Sequence, residues 1–135
     1  MRIFSIAIIL TALLYAVGLA GLSAQAPKGG SPAAAALKNP VEKTPESVAA
    51  GRKVYQRFCV RCHGQEGKGD GGAAGAVPPS DLSDDTWDHG SSDGEIFTTI
   101  HDGTSADMEG YAQRISDTDI WNLVNYIRSL GPQPK

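Results

Sequence analysis

The chain has 135 residues, which leaves room for one small domain and a leader. It contains 12 Lys and Arg residues against 15 Asp and Glu, a formal net charge of −3 at pH 7, and an acidic domain is not expected to bind nucleic acid. Only two cysteines and two methionines are present, so a site that depends on sulfur has few possible ligands.

The first 24 residues have the composition of a secretory signal peptide. Residues 3–22 form an apolar run with no acidic residue, Arg2 precedes the run, and small residues follow it, so cleavage fits best after Ala24. The same run is about long enough to cross a bilayer, and an uncleaved membrane anchor is therefore the alternative. Both alternatives predict an exported domain, either soluble in the periplasm or attached to the periplasmic face of the inner membrane.

Residues 25–43 follow this leader and are rich in Ala, Pro, Gly and Lys. Such a composition is typical of a flexible linker. With a retained anchor the linker would tether the domain to the membrane, whereas after cleavage it would be a disordered tail. The sequence therefore predicts a leader at 1–24, a linker at 25–43 and one domain at 44–135.

A first helix is predicted to begin at Thr44, which can cap it. Pro45 suits the first helical position, and Glu46 complements the positive end of the helix dipole. Apolar and small residues then recur at helical spacing as far as Phe58. The predicted helix leads directly into Cys59.

The stretch FCVRCHGQEGKGDGG contains both cysteines, Cys59 and Cys62, followed at once by His63. A disulfide here would close a very small loop and stabilise little, and a thioredoxin-like redox pair would need a βαβ setting that is absent. Zinc would need four ligands, and His89 and His101 lack finger-like spacing. Covalent haem attachment uses all three residues, with two thioethers to the haem and an imidazole on the iron. We therefore predict one covalent haem c.

Two further helices are predicted downstream. The second begins at Ser92, has Glu95 at capping-box spacing and can end at Gly103. The third begins at Ser116, carries one apolar stripe and is stopped by the Gly-Pro pair at 131–132. No stretch alternates with a period of two over enough residues to indicate a sheet, so the predicted fold class is all-α.

From about Pro45 to Gly131 the chain resembles a class I monohaem cytochrome c, of the bacterial kind similar to the haem domains of cbb3-type oxidase subunits. The CVRCH motif and the helices on either side of it carry the resemblance. It implies a small class I cytochrome c fold in which three or more helices surround one covalently bound haem. It also implies that the first and last helices cross closely, with Gly51 and Tyr126 as the small and the aromatic residue.

Met108 is the candidate for the second axial ligand of the iron. It is the only methionine besides Met1, and it lies between the second and third predicted helices, where the resembled family places its distal ligand. An ordinary packing role is the alternative, and His89 and His101 are the competing ligands. The family usually has proline directly after this methionine, whereas this chain has Glu109, which leaves the loop less constrained.

Three residues in AVPPSDLSDDTWDHG are candidate haem contacts. In the resembled family a proline carbonyl accepts the Nδ1–H of the proximal histidine, and Pro78 or Pro79 could supply that carbonyl here. A plain turn is the alternative for the two prolines. Trp87 could pack on the haem, donate its indole N–H to a haem propionate, or simply be buried in the core.

Iron bound by an imidazole and a thioether has both axial positions filled. The sequence therefore predicts a one-electron carrier of an exported respiratory or dehydrogenase-linked chain, and not an enzyme. A haem enzyme or gas sensor, in which Met108 is not a stable ligand, is one alternative. A subunit that relays electrons within an oxidase or dehydrogenase complex is another.

The expected partners are redox proteins that bind transiently. Basic residues cluster around the attachment helix, while residues 81–119 are rich in Asp and Glu. Such an asymmetry can steer the encounter of two redox proteins, whose complexes are typically small and weak. Two ordinary solvated faces are the alternative.

Overall fold

The structure is a computed structural model that describes residues 30–73, 75 and 77–132. Within these ranges it contains helices and no β-strand, and the predicted all-α class is confirmed. The helices are α1 (Pro32–Ala36), α2 (Pro45–Phe58), α3 (Val60–His63), α4 (Asp93–Asp102) and α5 (Asp117–Ile127). No helix in the described part of the chain is long and apolar enough to cross a membrane. The predicted signal peptide or anchor at 1–24 lies outside the described residues.

The three long helices begin where the sequence predicts. Thr44 caps α2, and its side chain exchanges hydrogen bonds with the N–H and hydroxyl of Ser47. At α4, Ser92 and Glu95 form the expected reciprocal capping box. Ser116 caps α5 through a side-chain hydrogen bond of 3.2 Å from a backbone N–H in the first turn. These caps satisfy backbone donors that a helix start otherwise leaves unpaired.

Helices α2 and α5 cross in close contact, as the resemblance implied, but the contacting residues differ from the expected pair. Gly51 is buried against backbone atoms of Asn122 and Leu123, where a Cβ atom would clash with the Asn122 carbonyl oxygen. Tyr126 packs on Tyr55 instead, with ring centroids 5.1 Å apart. The glycine therefore allows two backbones to approach, and the aromatic pair lies one turn further along each helix.

The prediction of a flexible linker at 25–43 is wrong for the part of that segment that the structure describes. There the chain forms α1, whose Ala34 is only 1% exposed. The carbonyl of Ala34 packs directly against Gly94 at the start of α4, where a side chain would clash. Composition alone did not show this contact because it depends on a glycine more than fifty residues away. Residues 25–29 lie outside the described residues.

Asn125 on α5 anchors the same N-terminal segment. Its side chain is 4% exposed and accepts a 2.9 Å hydrogen bond from the Asn39 amide. Its own amide lies 3.2 Å from the Val41 carbonyl and 3.1 Å from the Ser47 hydroxyl. Because a buried amide is costly unless it is hydrogen-bonded, this set of bonds stabilises the segment against the last helix.

Candidate haem site

One cavity of about 400 Å³ brings together every residue that the sequence predicts for the site. Its size is within the usual range for small-molecule and cofactor pockets. Apolar residues of α4 and α5 form part of its lining: Ile96, Ile100, Leu123 and Ile127. The predicted residues that also line it are Cys59, Cys62, His63, Pro78, Pro79, Trp87 and Met108.

The two thiols lie at the junction of α2 and α3, where Cys59 ends one helix and precedes the other. Both thiols are free, and the Cys62 thiol lies 3.0 Å from the Ala73 carbonyl oxygen. Burial raises the pKa of Cys59 to about 12, so the group is a neutral thiol at pH 7. Among the described residues, no group of three or more His, Cys, Asp or Glu is placed to hold a metal ion without a cofactor.

His63 is oriented by a backbone carbonyl, and that carbonyl belongs to Ser80. Its Nδ1 lies 3.2 Å from the Ser80 oxygen, and with Nδ1 as the donor the Nε2 lone pair is left for a metal. The expectation that Pro78 or Pro79 supplies the acceptor is wrong, because the Pro79 carbonyl packs against Gly69 instead. Burial lowers the pKa of His63, which favours the neutral imidazole that binds metal ions.

Met108 lies in a tight turn that follows α4. The helix ends at Gly103, which has a φ of 77°. The Met108 carbonyl then accepts hydrogen bonds from the N–H groups of Thr104 (2.9 Å) and Ser105 (3.3 Å), and its own N–H lies 3.2 Å from the Ser105 hydroxyl. Gly103 and Glu109 form an isolated antiparallel bridge at the base of the turn. The backbone on both sides of Met108 is therefore held by hydrogen bonds.

The two competing histidines have different surroundings. His89 is exposed and lines the cavity. His101 does not line it: its Nδ1 lies 2.5 Å from Asp102 Oδ1, and its Nε2 lies 3.7 Å from Asp117 Oδ1. The His101 ring also stacks on Phe97 at 5.4 Å. Only His89 therefore remains near enough to the predicted ligands to compete with Met108.

Trp87 places a buried hydrogen-bond donor beside the cavity. Its Nε1 has no hydrogen-bond partner among the described residues. The ring lies 5.7 Å from the guanidinium of Arg128, which in turn pairs with Asp93 at 2.8 Å and donates to the Ser91 carbonyl. A buried donor without a partner costs about 1–3 kcal/mol. This N–H therefore fits a bound group with an acceptor, as a haem carboxylate would provide.

Two tyrosines line the cavity although the sequence did not identify them as site residues. The Tyr55 hydroxyl donates a 2.7 Å hydrogen bond to the Gly64 carbonyl, which ties α2 to the chain after the motif, and burial raises the pKa of Tyr55. The Tyr111 hydroxyl lies 3.4 Å from the Phe58 carbonyl. Helical spacing marked Tyr55 as a core residue, whereas no sequence signal pointed to Tyr111.

Comparison with known proteins identifies related sequences. A family model described as cytochrome c oxidase, cbb3-type, subunit III matches residues 46–127. The chain is 34% identical over 84 residues to the cbb3-type cytochrome c oxidase subunit FixP of Bradyrhizobium sp. (strain ORS 278). That match covers 62% of this chain and 28% of FixP, so the chain spans less than a third of this relative.

Two solved structures are similar in fold. A chain of the reducing HAO-like protein complex of Kuenenia stuttgartiensis superposes with a TM-score of 0.65 at 28% identity, covering 73% of this chain and 49% of that one. Cytochrome cL from Hyphomicrobium denitrificans superposes with a TM-score of 0.56 at 26% identity, covering 78% of this chain and 63% of that one. These similarities confirm the predicted class I cytochrome c fold.

Proposed function

The chain belongs to the family of cytochrome c oxidase, cbb3-type, subunit III, and on this premise we propose that it carries single electrons between redox proteins of an exported chain. By family and fold it is a monohaem c-type cytochrome, an electron-transfer protein that is not an enzyme by itself. The observation that carries the proposal is one cavity lined by two thiols, the adjacent imidazole and a thioether.

Four residues would hold the haem. Cys59 and Cys62 would form the thioethers, since both thiols lie within one helical turn beside the cavity. His63 and Met108 would bind the iron. Bound there, the haem supplies an iron that gains and loses one electron. With both axial positions occupied, no position is open for oxygen or peroxide, which favours a carrier over the alternative of a haem enzyme or sensor.

The chain itself keeps the two proposed iron ligands in place. The Ser80 carbonyl orients the His63 ring, and the N–H groups of Thr104 and Ser105 hold the backbone of Met108. Because backbone atoms supply these contacts, we expect neither ligand to move when the oxidation state changes. A small structural change favours rapid exchange of one electron.

The partners follow from the relatives. FixP is named as an oxidase subunit, and the Kuenenia chain belongs to a reducing HAO-like complex, so redox proteins are the partner class. We propose that this chain delivers electrons to such an assembly or relays them within it. We also propose that residues 1–24 direct export, either as a cleaved signal peptide or, through residues 3–22, as a membrane tether.

Two measurements test the proposal on protein made in a host that attaches haem c. The mass of the purified chain should include one covalent haem. The ferric protein should show the weak near-infrared band of methionine–iron ligation, and Met108→Ala should abolish that band, since no other thioether lines the cavity. The matched control is His89→Ala, which should keep it. Ready binding of carbon monoxide by the reduced wild type would contradict the carrier function.

A further inference from the structure

A group of side chains connects the Met108 turn to the attachment helix. The Arg114 guanidinium bonds to the Glu109 carboxylate at 2.8 Å, and Glu109 directly follows Met108. The same guanidinium lies 4.3 Å from the centre of the Tyr111 ring. Arg114 therefore contacts two residues that both lie close to Met108 in the chain.

Tyr111 extends the connection to the other side of the cavity. Its ring meets that of Phe58 edge to face, with centroids 5.9 Å apart, and Phe58 directly precedes Cys59. Its backbone N–H donates a 3.0 Å hydrogen bond to the Ile100 carbonyl of α4. Tyr111 is therefore fixed by two helices, and it gives Arg114 a rigid surface to rest on.

We propose that Arg114 is a positioning residue for Met108, holding the Glu109 carboxylate against the Tyr111 ring so that the Met108 turn stays closed over the cavity. The inference rests on the proposed function, in which Met108 binds the iron. It gives a role to Glu109, which stands where the resembled family has a conformationally restricted proline. An exposed ion pair alone is weak, and the side chains here are 45% and 69% exposed. The ring contact of the same guanidinium restricts its motion and strengthens the arrangement.

The test uses imidazole, which displaces a methionine ligand only when the turn opens. Ferric holoprotein is titrated with imidazole, and loss of the near-infrared methionine–iron band is followed. We expect Arg114→Gln to bind imidazole about threefold more tightly than wild type, the size of effect that one exposed ion pair produces. At about 1 M salt the two proteins should converge, because the ion pair is then screened. Arg114→Lys, which keeps the charge, should stay closer to wild type than Arg114→Gln does.

The matched control is Arg57→Gln. Arg57 lies 5.0 Å from the Phe58 ring on α2, so this change removes the same charge and a ring contact of the same kind. Because Arg57 does not hold the Met108 turn, we expect wild-type imidazole affinity. Glu109→Gln approaches the pair from the other side, and its effect should not add to that of Arg114→Gln in the double variant.

Each result decides the matter. A band in wild type with equal imidazole affinity in Arg114→Gln overturns the role of Arg114 and leaves the proposed function intact. A wild type without the band overturns both. An equal effect of Arg57→Gln would assign the change to net charge and also overturn the inference. If Arg114→Gln does not fold, Glu109→Gln against wild type supplies the same comparison.

Discussion

At the scale of single residues, Trp87 is the clearest sign of a bound group. Its indole N–H is buried without a partner among the described residues, and its ring lies beside the cavity under the Arg128 guanidinium. Arg128 is held by Asp93 at the start of α4, so the position of the ring depends on α4 and on the residue that ends α5. We propose that the N–H donates to a haem carboxylate.

Replacing Trp87 by Phe keeps an aromatic ring and removes only the donor. The ionised carboxylate would lose a hydrogen bond, so its pKa should rise. The inflexion in the midpoint potential plotted against pH should therefore move to higher pH, which spectroelectrochemistry at a series of pH values would measure. The matched control is Trp121→Phe, since Trp121 stacks on Phe97 at 4.1 Å and does not line the cavity. An unmoved inflexion would leave Trp87 with a packing role only.

At the scale of helices, the contact between α2 and α5 organises the domain. Gly51 lets the two backbones touch, and Tyr55 and Tyr126 stack beside that point. The same last helix also binds the N-terminal segment through Asn125. Because α5 contacts both, the helix crossing and the packing of the N-terminal segment are linked through one element.

Gly51→Ala should lower the free energy of unfolding of the holoprotein by about 1–3 kcal/mol, because the new methyl group overlaps the backbone of α5. Alanine has the better helix propensity by about 1 kcal/mol, so packing and propensity oppose each other here. Denaturant unfolding would measure the difference. Gly72→Ala is the matched control, since no atom lies within 4 Å of its added methyl group and we expect almost no effect. A stabilised Gly51→Ala protein would show that the helices can separate freely.

At the scale of the whole molecule, the core is divided between side chains and the cofactor. Buried apolar residues of α4 and α5 line a cavity of about 400 Å³. Leaving a cavity of that size empty costs on the order of 10 kcal/mol. A small domain is stable by only about 5–15 kcal/mol, so the haem is expected to be part of the core.

The haem-free variant Cys59→Ala/Cys62→Ala should therefore be largely unfolded. Circular dichroism should show little helix and no cooperative thermal transition, whereas the wild-type protein with covalent haem should melt cooperatively. The variant removes only two sulfur atoms, which makes lost side-chain packing a minor cause. A cooperative melt of this variant would mean that the side chains form a sufficient core without the cofactor.

The sequence by itself determined the features that depend on local spacing. Cys59, Cys62 and His63 are recognisable because covalent attachment and iron binding require them within one helical turn, and the helix starts are recognisable because a cap acts on its own first turn. Met108 could be selected because it is the only methionine beyond the first residue. That these side chains share one cavity is a property of the fold.

Tertiary structure alone decided which backbone groups meet. The carbonyl that orients His63 belongs to Ser80, the partner of Gly51 is the backbone of Asn122, and Asn125 binds the segment that composition had marked as a linker. A peptide carbonyl is the same in every residue, so no letter of the sequence records which one points at a given ring. Such contacts depend on the path of the chain over many residues, and only the folded arrangement shows them.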